Sequence, residues 1–175
     1  MRDFDVSRPW AALRRRIKAL QYVLASAEHD HIVIAHYFAI WESYGTPPEY
    51  LRTDADQVAR SFLEHGRSER KLASFIAMDG DKPAGSVSCQ LHMVPYPAVL
   101  KQEHMLHGYI WTVYTDPAYR GQGIAKKLMA LAVEHLKDIG CTTIVLHSSD
   151  AGEKLYRGMG FEMAKEMRLK FKTVS

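Results

Sequence analysis

The sequence predicts an α+β fold, a mixed α/β sheet with helices on both of its faces. Three observations predict it. Segments of helical period come first, an antiparallel meander of apolar strands follows, and a strand–helix–strand run comes after that. The 175 residues suffice for one domain with a full core and are too few to expect two. Hydrophobic residues at 47% with charged residues at 25% fit a folded globular chain and argue against disorder.

Residues 9–20, "PWAALRRRIKAL", read as a short helix with Pro9 near its first turn and Trp10, Leu13, Ile17 and Leu20 on one side. This segment forms an N-terminal extension over 1–20, and residues 21–175 form the single domain. Residues 21–26 read as a strand. A helix follows from about Asp30 to Tyr44, ended by "YGTPP". "TDADQVARSFLEHG" reads as a second helix, with Thr53 or Asp54 as its N-cap and Gly66 as its stop. "KLASFIAM" and "PAGSVSCQLHMV" flank "DGDK", a hairpin turn between two strands. "HGYIWTVYT" is a third strand, rich in aromatic and β-branched residues.

The long helix expected from about Gly121 to Ile139 sets Ile124, Leu128, Leu131, Ala132, Leu136 and Ile139 on one face, with Gly140 as its C-cap. "CTTIVLHS" reads as a buried strand. "SDAGEKLYRGMG" is a short helix in which Asp150 and Glu153 have capping-box spacing. "FEMAKEMRLKF" closes the chain as extended segments.

Several function classes are disfavoured. The longest apolar run, Ile32 to Trp41, is too short to cross a bilayer, and "MRDFDVSRP" lacks the apolar core of a secretory signal. Cys89 and Cys141 form neither a ligand-spaced pair nor a disulfide framework, so a reducing cytoplasm is the expected compartment. A net charge of +3 suits a polyanionic small molecule and is weak support for nucleic acid. The basic stretch "RRRIK" is read as a solvated helix face rather than a nucleic-acid or membrane contact. The apolar side opposite docks on the body or on a second copy, which leaves a homodimer open. His29/His31 and His104/His107 sit in no cluster with Cys or acidic partners, so no metal site is expected.

The informative stretch is "WTVYTDPAYRGQGIAKKL", Trp111 to Leu128, where a strand leaves through a proline turn and enters a helix across two glycines. A Walker A loop does not fit the spacing, and a dinucleotide fingerprint fails because Lys126 stands where its third small residue belongs. Two readings remain. The glycines either make a tight turn and nothing more, or they bring free helix N–H groups up to a pyrophosphate. Arg120 before them and Lys126 and Lys127 after them favour an anion.

"RGQGIA" resembles the acyl-CoA pyrophosphate signature of the GNAT superfamily of N-acetyltransferases, Arg/Gln-x-x-Gly-x-Gly/Ala. "VYTDPAYRGQGIAKKLMALAVEHLKDIG" is similar to that family's fourth strand and third helix, and "LYRGMGF" to its late helix and the entry to its last hairpin. The resemblance is dense over 107–171, looser over 21–100, and does not include 1–20. It implies a GNAT-like, mostly antiparallel twisted sheet of about six to seven strands flanked by helices on both faces. It departs from the pattern at Ala125, a tolerated replacement of a glycine. It departs again at Ser149, where an asparagine that seats the cofactor arm is common.

The resemblance further implies an acyltransferase that moves an acetyl group from acetyl-CoA to a primary amine by direct attack on the thioester. The acceptor would be a small molecule or a peptide. The pantetheine arm would pair with an open strand edge at Val113, Tyr114 and Thr115, one N–H of which, from Val113 or its neighbour, would act as oxyanion donor. Arg120, Gly121, Gln122, Gly123, Ile124, Ala125 and Lys126 would hold the pyrophosphate. Tyr156 matches the family's usual general acid. A phenol near pKa ~10 giving its proton to a thiolate of pKa ~8.5 is only mildly uphill. The competing role for Tyr156 is an aromatic core residue.

The acceptor amine must lose a proton, and Glu42, Glu103, His107 and His147 are the candidate bases. A hydrogen-bonded core histidine is the plainer role for His147. "YFAIWESYG" and "VPYPAVLKQEHM" would border the acceptor pocket. An acyl-CoA-binding sensor without useful catalysis is the alternative function, and the intact Tyr156 beside an intact turn argues against it.

Overall fold

The computed structural model describes residues 20–169 and 171. The helix expected over 9–20 lies outside them apart from its last residue. Strands β1 (Gln21–Leu24), β2 (Ala73–Asp79), β3 (Lys82–Leu91), β4 (His107–Thr115) and β5 (Thr143–Val145) line up in that order in one sheet. The first three pairings are antiparallel and the last is parallel. The helices are α1 (Asp30–Ser43), α2 (Ala55–Glu69), α3 (Ile124–Asp138) and α4 (Asp150–Arg157). A parallel pair needs a crossover, and α3 supplies it between β4 and β5.

Alternation along the strands builds a core on each face. Neighbouring Ile76 and Ala77 are both fully buried, yet they belong to different apolar clusters. On one face Leu128, Ala132 and Leu136 of α3 pack on Ala77, Val87, Cys89 and Ile110. On the other, Val33 and Ile34 of α1 and Leu63 of α2 cover Ile76. A bidentate ion pair from Arg67 to Asp30, at 2.8 and 2.6 Å, ties α2 to α1. The helices on both faces and the mainly antiparallel sheet are as the sequence predicts.

Five features differ from expectation. The sheet has five strands among the described residues instead of six to seven. Residues 161–169 join no ladder: β5 is only three residues long, so its outer edge offers few groups to pair with. Second, β5 is half-buried rather than buried, and the chain leaves it before His147. Third, α2 does not stop at Gly66 but runs to Glu69 from its N-cap at Asp54. A Cβ on Gly66 would lie 2.6 Å from Leu72 Cδ1, so this glycine serves close packing rather than termination. Fourth, α3 begins at Ile124, not Gly121. Its C-terminus is as predicted: Gly140, at φ +92°, follows the cap and Cys141 N–H donates back to Leu136 O at 2.9 Å. Fifth, Asp150 and Glu153 form no capping box. Ser149 is the N-cap of α4, and Glu153 accepts from Arg157 one turn on at 2.7 Å.

Candidate active site

The β4–α3 junction sits where the parallel pair comes apart. β4 and β5 pair only at His107 with Thr143, Gly108 with Ile144 and Tyr109 with Val145. Beyond Tyr109 the rest of β4, including Val113, Tyr114 and Thr115, has no ladder partner on the β5 side. A bulge lies at the divergence. Ser86 pairs with Tyr114 and Ser88 with Trp111, so Val87 faces both Thr112 and Val113. Thr112 takes φ +50°, a conformation that costs a β-branched residue energy and marks a locally strained backbone. Gly85 lets β3 approach this segment, since a Cβ there would lie 2.5 Å from Tyr114 O.

The turn after β4 is held at its start. Asp116 accepts from the Ala118 N–H at 2.8 Å, and Arg120 Nε donates to Thr115 O at 3.3 Å. Gly121 and Gly123 take φ +76° and +78°, and a Cβ on either would meet nothing within 4 Å. Their backbone therefore faces open space. The first turn of α3 contains no acidic residue, although a helix N-terminus favours one. Arg120, Gln122, Lys126 and Lys127 are exposed around that turn, while Ile124 is buried and anchors it. Free N–H groups, positive charge and missing side chains converge there.

Tyr156 is buried in α4, packed edge-on against Phe161 with ring centroids 6.1 Å apart. A Cβ on Gly152 would lie 2.7 Å from Tyr156 Cε2, so Gly152 makes the slot for the ring. Desolvation raises the Tyr156 pKa, with Tyr44 as a lesser contributor. The phenol is thus in its acid form at neutral pH, and burial alone makes proton release more uphill.

On the α1–α2 side of the sheet a groove of about 1160 Å³ opens between α1, α2 and β4. Tyr37, Trp41 and Tyr44 of "YFAIWESYG" line it. Residues of "VPYPAVLKQEHM" line an adjoining cavity of about 450 Å³, which shares His92 and Met93 with the groove. This segment forms the loop between β3 and β4.

Of the four candidate bases, only His147 lines the groove. It is not a core histidine: its side chain is 55% exposed. The Tyr109 hydroxyl lies 2.5 Å from His147 Nδ1, and His147 Nε2 lies 3.1 Å from Glu166 Oε2. Glu166 is held in turn by Arg168, which keeps its carboxyl below the usual range together with His147. With Nε2–H donating to Glu166, Nδ1 is the acceptor for the Tyr109 hydroxyl. Glu42 is exposed on α1, Glu103 pairs with Lys101 in a loop, and His107 borders the smaller cavity.

Sequence reasoning missed Tyr109, Trp111, Arg70 and Glu166 as site residues. Tyr109 and Trp111 stand two apart on one strand, so they share a face; that spacing was the available signal. Arg70 and Glu166 carry no such signal, because only the tertiary fold brings Arg70 to the groove and Glu166 to His147.

Among the described residues no cluster has three or more candidate metal ligands, and no helix is long and apolar enough to cross a membrane. The model of the acetyltransferase (GNAT) family matches residues 20–161. N-acetyltransferase 8B of Rattus norvegicus is 30% identical over 125 residues, 70% of this chain and 51% of that protein. N-alpha-acetyltransferase 30 of Saccharomyces cerevisiae is 34% identical over 102 residues, 54% of each chain. The chain therefore spans about half the length of these relatives. A predicted acetyltransferase crystallised with acetyl-CoA, from Clostridium acetobutylicum, superposes with a TM-score of 0.73 at 22% identity, covering 87% of this chain and 96% of that one.

Proposed function

The chain belongs to the GNAT acetyltransferase family, and from that premise we propose that it transfers an acetyl group from acetyl-CoA to a primary amine seated in the α1–α2 groove. The observation that carries this reading is the junction of the unpaired end of β4 with the open, cationic, glycine-lined start of α3. An extended amide chain can pair with such a strand edge, and a pyrophosphate suits such a helix start. Gly121 and Gly123 leave the room that this fit requires.

Bound acetyl-CoA supplies an activated acyl group and a thiolate leaving group. The protein does the rest. The backbone N–H of Val113 or its neighbour polarises the thioester carbonyl and stabilises the charge that develops on its oxygen. The amine nitrogen forms its bond to the carbonyl carbon, and the carbon–sulfur bond breaks. Tyr156 gives its hydroxyl proton to the departing sulfur and is reprotonated from solvent. The proton of the attacking amine passes to the Tyr109 oxygen while the Tyr109 hydroxyl proton moves to His147 Nδ1. Glu166 offsets the imidazolium that results.

A free-thiol assay with acetyl-CoA and a diverse amine panel tests this reading, with mass spectrometry of the acetylated product. Thiol release matched by acetylated amine is the expected outcome. Acetyl-CoA binding with no thiol release from any amine would contradict it.

A further inference from the structure

The groove walls carry information on the acceptor. Trp41, Tyr44, Tyr50 and Phe62 line it, yet they are 40%, 62%, 77% and 44% exposed. Aromatic side chains left at solvent along a concave surface mark a binding face rather than a core. The wall is also ordered: Phe62 and Tyr37 both stack edge-on against Trp111, with centroids 5.3 and 5.8 Å apart.

The charges along the groove are one-sided. No Asp or Glu lines it, while Arg52, Arg70 and Arg168 do. Arg52 is bonded to Asp54 and Arg168 to Glu166, which satisfies both. Arg70, half-buried at the end of α2, has no carboxylate partner among the described residues. Beside it, His92 is held below the usual imidazole range by desolvation first, with Arg70 among the lesser causes. A polycationic amine would meet uncompensated positive charge here and nothing to pair with. A carboxylate would meet a guanidinium already partly desolvated, where a charge-assisted bond is strongest.

We infer that the acceptor is a small primary amine bearing one carboxylate and a bulky apolar body, an apolar or aromatic amino acid, with Arg70 as the carboxylate anchor. This rests on the acetyl-transfer reading of the same groove. Four probes separate the features: L-phenylalanine, L-phenylalaninamide, phenethylamine and spermidine. With acetyl-CoA saturating, kcat/KM for phenylalanine is expected to exceed that for the amide and for phenethylamine by about ten- to a hundredfold, the range of one charge-assisted bond. Spermidine should be poorest. Arg70→Met should erase the preference by raising KM for phenylalanine alone, and Arg70→Lys should restore part of it. Acetyl-CoA affinity should be unchanged in both variants, which confirms folding.

Phenethylamine or spermidine used as well as phenylalanine, or a preference that survives Arg70→Met, would overturn the inference. Calorimetry of phenylalanine in the presence of coenzyme A separates it from the reading beneath it. Arg70-dependent binding without turnover would uphold the ligand class and sink acetyl transfer. Turnover with the wrong amines would do the reverse, and neither binding nor turnover of phenylalanine would overturn the inference outright.

Discussion

At the scale of single residues, two buried groups give separable effects. Tyr156→Phe keeps the ring in its Gly152 slot and removes only the hydroxyl, so the fold should survive. If the hydroxyl protonates the leaving thiolate, kcat should fall on the order of 10²–10⁴-fold while the acetyl-CoA Kd moves little, as paired kinetics and calorimetry would read. Equal kcat in single-turnover experiments would reduce Tyr156 to a packing residue. His36 gives a pH signature. It is 8% exposed, lies 2.8 Å from Ser86 Oγ and stacks on Tyr114. Desolvation lowers its pKa to about 4, partly opposed by Asp116. Its native pKa is below the unfolded value, so its contribution is complete above pH ~6.5 and is lost as pH falls toward 4. The full loss is on the order of 3 kcal/mol. Denaturant titrations of wild type and His36→Gln should therefore converge in acid dependence only above pH ~6.5. Parallel slopes between pH ~4 and ~6.5 would show that His36 titrates normally.

At the scale of elements, the sequence was most legible where one local rule decides. The "DGDK" turn between two apolar runs identified the β2–β3 hairpin, and Gly140 identified the end of α3. Reading failed where packing overrode the rule. Gly66 looks like a helix stop but is a contact point for Leu72, and Asp150 looks like a cap one residue too late. The glycine turn after β4 was legible as a candidate anion site because Arg120, Gly121, Gly123 and Lys126 lie within seven residues of sequence. The groove was only half legible, since α1, α2 and β4 build it from residues distant in sequence. Gly85 tests the β3–β4 contact behind the bulge. Gly85→Ala puts a Cβ 2.5 Å from Tyr114 O, backbone that cannot rotate away. Overpacking of this kind costs about 1–3 kcal/mol, so chemical denaturation should show a lower midpoint, with weakened acetyl-CoA binding. An unchanged midpoint would mean that β4 shifts freely at its bulge.

At the scale of the whole molecule, the sheet divides the labour. One face carries α3 and α4 with the glycine turn and Tyr156, the other carries α1 and α2 with the aromatic groove, and the divergence of β4 from β5 joins them. The central claim is that acetyl-CoA enters at that junction. Calorimetric titration of acetyl-CoA into wild type, Gly123→Asn and Gly123→Glu tests it most directly. Asparagine tolerates the φ of +78° at this position and controls for backbone strain, while glutamate adds bulk and negative charge at the pyrophosphate. The account predicts one-to-one binding to wild type and a loss of roughly a hundredfold or more in Gly123→Glu, with Gly123→Asn in between. The same Kd in a folded Gly123→Glu protein would contradict it.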